Sequence, residues 1–336
     1  MIDLYLENGF INVAAIAARP TWLKVLIGAR QVGKTYGTLK YYLESGEKFI
    51  LLRRTTAELQ FIGNNAQLDP FSKFAPEYHV RIQPSGGSYV IGDYNEDGTM
   101  ENVRGVALSL PQISHIRGFD GSQFKAIIFD EAIPEKGVRV LKSEGDALLN
   151  AYTTISGNRE LEGKPALQLW LLCNTNNINS GILEALNLTD DVLYMRSRGL
   201  EYFERGGVSI FQGRSKKIID KRKETALARQ IAGGEFAGMA YDNEWSYDES
   251  PLIGQRSIKG MKPLCGFDDM FIWENEQSFY VCRVRHKTDV YKAGRYENAE
   301  FIANYRWLIR WYAERQIIFS DLKMLSKFRQ LFDIDY

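Results

Sequence analysis

The chain has 336 residues, and its 42 Lys and Arg balance 42 Asp and Glu. That length holds one large or two modest domains, and the neutral balance leaves contact with nucleic acid to a local basic face. No apolar run nears the twenty residues of a membrane span, no basic and apolar leader opens the chain, and Cys173, Cys265, Cys282, His79, His115 and His286 lack metal-ligand spacing and suit a reducing compartment.

The first element is the apolar run Trp22 to Ile27, expected as a buried parallel strand. Gly28-Ala29-Arg30-Gln31-Val32-Gly33-Lys34-Thr35 follows and fits G-x-x-x-x-G-K-[ST], a phosphate-binding loop. Its glycines let backbone N–H groups turn toward an anion. Lys34 is placed for the β- and γ-phosphates of a nucleoside triphosphate, and Thr35 for Mg²⁺. A helix over Tyr36 to Glu44, stopped by Ser45-Gly46, completes the strand–loop–helix context. Lys48 to Arg54 reads as a second strand ending in two arginines. Arg53 or Arg54 either meets phosphate, a nearby carboxylate or a bound polymer at the ligand end of the sheet, or closes the strand as a solvated pair. Residues 78–93, broken by Pro84-Ser85-Gly86-Gly87, read as a hairpin inserted beside the main sheet.

Lys125 to Glu131 is an apolar strand ending in two carboxylates. A cation offsets the cost of such a buried charge. Asp130 is the candidate to hold Mg²⁺ opposite Thr35, and Glu131 to accept the proton of the water that attacks the γ-phosphorus. Lys136, Arg139 and Lys142 recur three apart and share a helical face or line a loop, either as phosphate contacts or as a solvated basic face. Leu167 to Cys173 is a further apolar strand. Asn174 at its tip is the candidate to touch the γ-phosphate or the attacking water, an Asn-rich turn being the plain alternative. Alternating strands and helices imply an α/β fold with a mostly parallel sheet, and the distant acid strand with Glu after Asp looks like the additional-strand, catalytic-glutamate branch of P-loop ATPases.

Residues 214–232 read as a basic amphipathic helix, with Ile218, Ile219, Ala226, Leu227 and Ile231 inward and Lys216, Lys217, Lys221, Arg222, Lys223 and Arg229 outward. It is either a lid or linker, over 214–250, or an ordinary surface helix. From about Pro251 the pattern shifts to short strands at 271–273, 279–284 and 289–291, then helices over Asn298 to Glu314 and Leu322 to Phe332. The expected division is an ATPase domain at 1–213, the lid, and a small α/β domain at 251–336.

In patches over the whole length the chain resembles the genome-packaging ATPases of phi29-like phages. The patches are Gly28 onward, Phe49 to Leu59, Ile128 to Glu131, Asn158-Arg159-Glu160, Cys173-Asn174, Gly238 to Asn243 and the terminal Ile317 to Phe332. The resemblance implies a homomeric ring, expected to be a pentamer, that uses ATP and Mg²⁺ to drive double-stranded DNA through the portal of an empty prohead in the host cytoplasm, with a structural RNA as a further partner. It implies that the last domain is a degenerate RNase H-like nuclease, and the adjacent Asp268 and Asp269 lack a set of further spaced carboxylates. It makes Arg159 the candidate arginine finger toward a neighbour's γ-phosphate, with Gly157 replacing a second arginine of the family motif, and Arg53 the residue that idles Glu131 until DNA and ATP arrive. Other readings of the same residues are a helicase, a nuclease-competent terminase, or a switch protein that does not translocate.

Overall fold

The computed structural model describes residues 2–64, 68–75, 77–86, 88–113, 120–134, 143–176, 178, 180–230, 250–276, 278–288 and 290–334. The chain divides into two compact units, residues 1–246 and 247–336.

The first unit is built on a nine-stranded sheet. In chain order its strands are β1 (Leu23–Gly28), β2 (Phe49–Arg53), β3 (Val80–Ser85), β4 (Ser88–Tyr94), β5 (Met100–Ser109), β6 (Ala126–Asp130), β7 (Gln168–Cys173), β8 (Tyr202–Arg205) and β9 (Val208–Gly213). Across the sheet they run β3-β4-β5-β2-β6-β7-β1-β9-β8. The six from β5 to β9 are parallel, and antiparallel strands close both edges. The continuous apolar runs have a direct cause, because alternate side chains enter two separate cores on the two faces. Val25, Ile27, Ile127, Phe129, Leu169 and Leu171 pack in one. Leu26, Ile128, Trp170 and Leu172 pack in the other, with Leu39 and Tyr42 of the helix Lys34–Ser45.

The phosphate-loop strand β1 and the acid strand β6 are not neighbours, for β7 lies between them. This is the additional-strand arrangement. Register aligns the three tips, with Ile27 opposite Cys173 and Asp130 opposite Leu172. Gly28, Asn174 and Asp130 therefore emerge along one edge, the carboxyl ends where open α/β sheets bind ligands.

The expected hairpin at 78–93 is present, but it is part of the main sheet. β5, which composition did not reveal, joins it to β2. The pair β8–β9 was also unforeseen and extends the sheet beyond β1. The predicted helix over 214–232 is broken into Lys216–Lys223 and Ala226–Gln230. Of its expected inward residues, Ala226 and Leu227 are exposed, and Ala228 is buried instead. Ile231 lies outside the described residues.

The second unit holds a five-stranded mixed sheet of β10 (Lys262–Phe267), β11 (Met270–Glu274), β12 (Phe279–Cys282), β13 (Val290–Tyr291) and β14 (Ile317–Phe319), in the order β13-β10-β11-β12-β14. Sequence patterning missed β10 and β14. The long helix expected from Asn298 is two, Arg295–Tyr305 and Leu308–Ala313, and the last helix spans Leu322–Phe332. Aromatic side chains packed edge-on or tilted, Phe301 with Phe267, Tyr291 and Phe332, and Phe328 with Tyr312 and Phe319, fill its core.

Candidate functional site

The loop after β1 turns through Gln31 at φ 62° and Gly33 at φ 93°, both left-handed. At Gly33, which caps the helix Lys34–Ser45, the left-handed φ favours glycine, and an added Cβ would press on the Phe10 ring at 3.2 Å. Ala29 and Val32 do not face the ligand space. They are buried against Ile218, on the basic helix Lys216–Lys223.

Lys34 is nearly buried. Its ammonium donates to the carbonyls of Gly28 and Ala29, both at 2.8 Å, and to Asn174 Oδ1 at 3.1 Å. Desolvation pulls its pKa down to about 8, against the attraction of Asp130. Asn174 thus lies within reach of the lysine from the tip of the intervening strand.

Thr35 Oγ1 donates to Asp130 Oδ1 at 2.8 Å. A hydroxyl and a carboxylate set side by side are hard oxygen donors, and they fit Mg²⁺. Asp130 Oδ2 lies 3.3 Å from Arg53 Nη1, and the same nitrogen is 3.6 Å from Glu131 Oε2. The structure therefore brings Lys34, Thr35, Asn174, Arg53, Asp130 and Glu131 together. Glu131 itself has φ 57°, in the left-handed region, and its side chain is half exposed. A non-glycine residue in that region costs of the order of 1 kcal/mol or more, and such residues cluster at functional sites. A cavity of about 230 Å³ opens beside it, lined by Glu131, Asn174, Asn176, Arg54 and Glu58. That is room for several waters among polar partners.

The two arginines ending the second strand divide their work. Arg53 faces the two acids. Arg54 is buried, lies 5.6 Å over the Phe129 ring, and pairs with Glu144 Oε2. The solvated-pair reading is thereby excluded for both.

Arg159 is turned inward on its own chain. It is nearly buried, and its guanidinium donates to the carbonyls of Phe124 and Gly121, each at 3.0 Å, and of Ser156 at 3.3 Å. It ties the loop before β6 to the end of the helix Glu144–Ser156. Gly157, where the family motif carries arginine, has φ 55° and ψ −139°, a conformation open essentially to glycine alone. Lys136, Arg139 and Lys142 lie outside the described residues.

Sequence reading missed two partners. Arg222, expected outward, donates to the Arg30 carbonyl of the phosphate loop and lies close enough to depress Lys34 further. Glu144 was not singled out at all. In the second unit, Asp269 pairs with Lys327 and Arg283, and Arg283 also holds Asp321 at 3.2 Å.

A profile of the family described as Podovirus DNA encapsidation protein (Gp16) matches residues 7–298. The DNA packaging protein of Bacillus phage B103 is 28% identical over 240 residues, 70% of this chain and 68% of that protein. The DNA packaging protein of Bacillus phage phi29 is 26% identical over 255 residues, 74% of this chain and 69% of that protein. Among solved structures, the bacteriophage Phi-29 viral genome packaging motor assembly superposes with a TM-score of 0.65 at 22% identity, over 96% of this chain and 98% of that one, and shares its fold.

Proposed function

The chain belongs to the podovirus DNA encapsidation (Gp16) family, and from that premise we propose that it is the ATPase of a viral genome-packaging motor. It hydrolyses ATP in a homomeric ring, read as a pentamer, and moves double-stranded DNA through a portal into an empty prohead, with a structural RNA as a possible further component of the assembly. It works in the host cytoplasm, at the portal vertex.

One observation carries this reading: the phosphate-loop hydroxyl of Thr35 and the acid pair at the tip of β6 meet across a single intervening strand, with Asp130 2.8 Å from Thr35. The loop's N–H groups and Lys34 bind the β- and γ-phosphates. Thr35 and Asp130 would hold Mg²⁺, which when bound would offset charge on the phosphate oxygens. Glu131 takes the proton of the attacking water. Asn174 holds Lys34 and borders the same cavity, where it orients that water. Arg53 lies between both carboxylates and competes for Glu131 until substrate draws the guanidinium away.

Residues 214–250 serve as lid and linker, supported by Ile218 packing under the phosphate loop. The segment carrying Lys136, Arg139 and Lys142 contacts DNA phosphates without reading bases. The unit from 251 is a degenerate RNase H-like domain without cleavage activity, a reading supported by Asp269 and Asp321 being neutralised by Lys327 and Arg283.

The test is steady-state ATP hydrolysis by the purified protein, alone, with duplex DNA, and with DNA and empty proheads. The expected result is turnover that rises with each addition and is abolished by Lys34→Ala and by Glu131→Gln. Turnover indifferent to DNA would leave the switch reading standing. Mg²⁺- or Mn²⁺-dependent cutting of the DNA would return the chain to the nuclease-competent terminases.

A further inference from the structure

The hydrolysis chemistry proposed above uses Arg53 and leaves its neighbour unexplained. Arg54 is 4% exposed and Glu144 3% exposed, so the pair sits in the protein interior. Arg54 Nη1 pairs with Glu144 Oε2, and Nη2 donates to the carbonyl of Ala132 and, at 3.4 Å, to that of Glu131. Arg54 Nε and Glu144 Oε1 are buried and have no hydrogen-bond partner among the described residues. An ion pair of this kind is a poor source of stability, because desolvating two charges cancels most of their attraction. Stability alone therefore gives little reason to have it here. Its location gives one. A single guanidinium spans two consecutive carbonyls, that of Glu131 itself and that of Ala132 after it, and Glu131 is the residue held left-handed at φ 57°. A strained conformation persists only where its surroundings over-determine it. The planar fork of arginine can engage a carboxylate and two carbonyls from one rigid plane, which an ammonium cannot. Glu144 fixes the other end of the fork. It begins the helix Glu144–Ser156, and that helix packs closely on Gly181–Ala185, since a Cβ on Gly145 would lie 2.4 Å from Ala185 Cβ.

We propose that Arg54 and Glu144 form a buried clamp on the Glu131 backbone, making Arg54 a positioning residue that aims the Glu131 carboxylate at the attacking water. This rests on the ATPase reading above. The clamp works through peptide geometry, so it bears on the chemical step and leaves nucleotide binding by Lys34 and Thr35 alone. Removing only one partner strands a buried charge, so the informative variant is the double Arg54→Met/Glu144→Met, which keeps volume and removes both charges. Its thermal stability should stay within a few degrees of the parent, because relief of two buried charges offsets the two carbonyl bonds lost, its affinity for a fluorescent non-hydrolysable ATP analogue should stay within about twofold, and its kcat should fall by about tenfold or more at unchanged KM. A smaller loss of kcat, or a loss matched by weakened nucleotide binding, overturns the clamp. If the double variant does not fold, Arg54→Lys, which keeps the charge pair and loses the fork, is judged by the same thresholds. Parent protein and Lys34→Ala run alongside: a parent without ATP turnover sinks the ATPase reading, whereas an active parent with a fully active double variant sinks the clamp alone.

Discussion

Burial makes the phosphate-loop lysine sensitive to pH in a range where the triphosphate is not. With the Lys34 pKa lowered to about 8, the unliganded protein sheds this proton as pH rises past that value, while a triphosphate stabilises the ammonium and draws the proton back. Binding above pH 8 then costs the reprotonation of Lys34, about 1.4 kcal/mol per pH unit. The Kd for ATP should be flat below pH 7.5 and rise by up to about tenfold between pH 8 and 9. A fluorescent-nucleotide titration across pH 7 to 9.5 reads this directly, and a flat profile would mean that the ammonium keeps its proton in the free protein. Arg53 supports a second prediction. Its Nη1 lies 3.3 Å from Asp130 and 3.6 Å from Glu131, so one guanidinium restrains both of the carboxylates proposed to hold the metal and to act as base. Arg53→Ala should hydrolyse ATP with weakened dependence on DNA. Retention of the full DNA stimulation would show that this contact is not the brake.

At the scale of elements, the interior strand β1 carries a liability. Lys24 is fully buried in it, with its ammonium on the Thr21 carbonyl and 5.6 Å from the Trp170 ring centre, and burial lowers its pKa to about 8. The sign follows from linkage. Unfolded, this lysine titrates near its ordinary value of 10.5. Below pH 8 both states carry the proton and the folded state bears the whole desolvation cost. Between pH 8 and 10.5 the folded state sheds it and the cost fades. Lys24→Met should therefore stabilise the protein by about 1–3 kcal/mol at pH 7, and the gain should shrink by pH 9.5. Paired urea melts at the two pH values decide it, and an equal gain at both would mean that packing rather than charge is responsible. The helix contact at Gly145 gives the opposite sign. Gly145→Ala brings a methyl within 2.6 Å of the Gly181 carbonyl and should cost about 1–3 kcal/mol.

Such elements differ in how far sequence exposes them. β1, β6 and β7 were legible because both of their faces are covered, which leaves unbroken apolar runs. β5 was not. Its first half is exposed and its second is buried, so neither alternation nor a continuous run appears, and Gly105 weakens the pattern further. That glycine is demanded by a neighbour, since a Cβ there would lie 2.2 Å from the Phe49 carbonyl, which no local window contains. The Arg54–Glu144 pair was hidden for the same reason: 90 residues separate its members, and only the folded sheet brings them together. The phosphate loop and acid pair needed no such information, because their chemistry dictates spacing within each short segment.

At the scale of the whole molecule, the proposed ring makes Arg159 a test of action between subunits. The resemblance nominated Arg159, and the two accounts of that residue give opposite results in a mixing experiment. If Arg159 reached a neighbour's γ-phosphate, Arg159→Ala subunits would keep an intact phosphate loop and Lys34→Ala subunits an intact arginine. Mixing two inactive proteins would then regenerate sites and recover hydrolysis. The observed geometry argues otherwise. Three donations to carbonyls of its own chain hold Arg159, and Gly121 beneath it packs so tightly that a Cβ would lie 2.3 Å from the Ile155 carbonyl. Freeing the guanidinium would strand buried carbonyls at about 1–3 kcal/mol each. That energy would have to come from the subunit interface. Arg159→Ala is accordingly expected to melt several degrees below the parent, to lose activity in proportion to that loss of structure, and to recover nothing when mixed with Lys34→Ala. Recovery of hydrolysis on mixing, from an Arg159→Ala protein as stable as the parent, would instead mean that the residue leaves these carbonyls when the ring assembles.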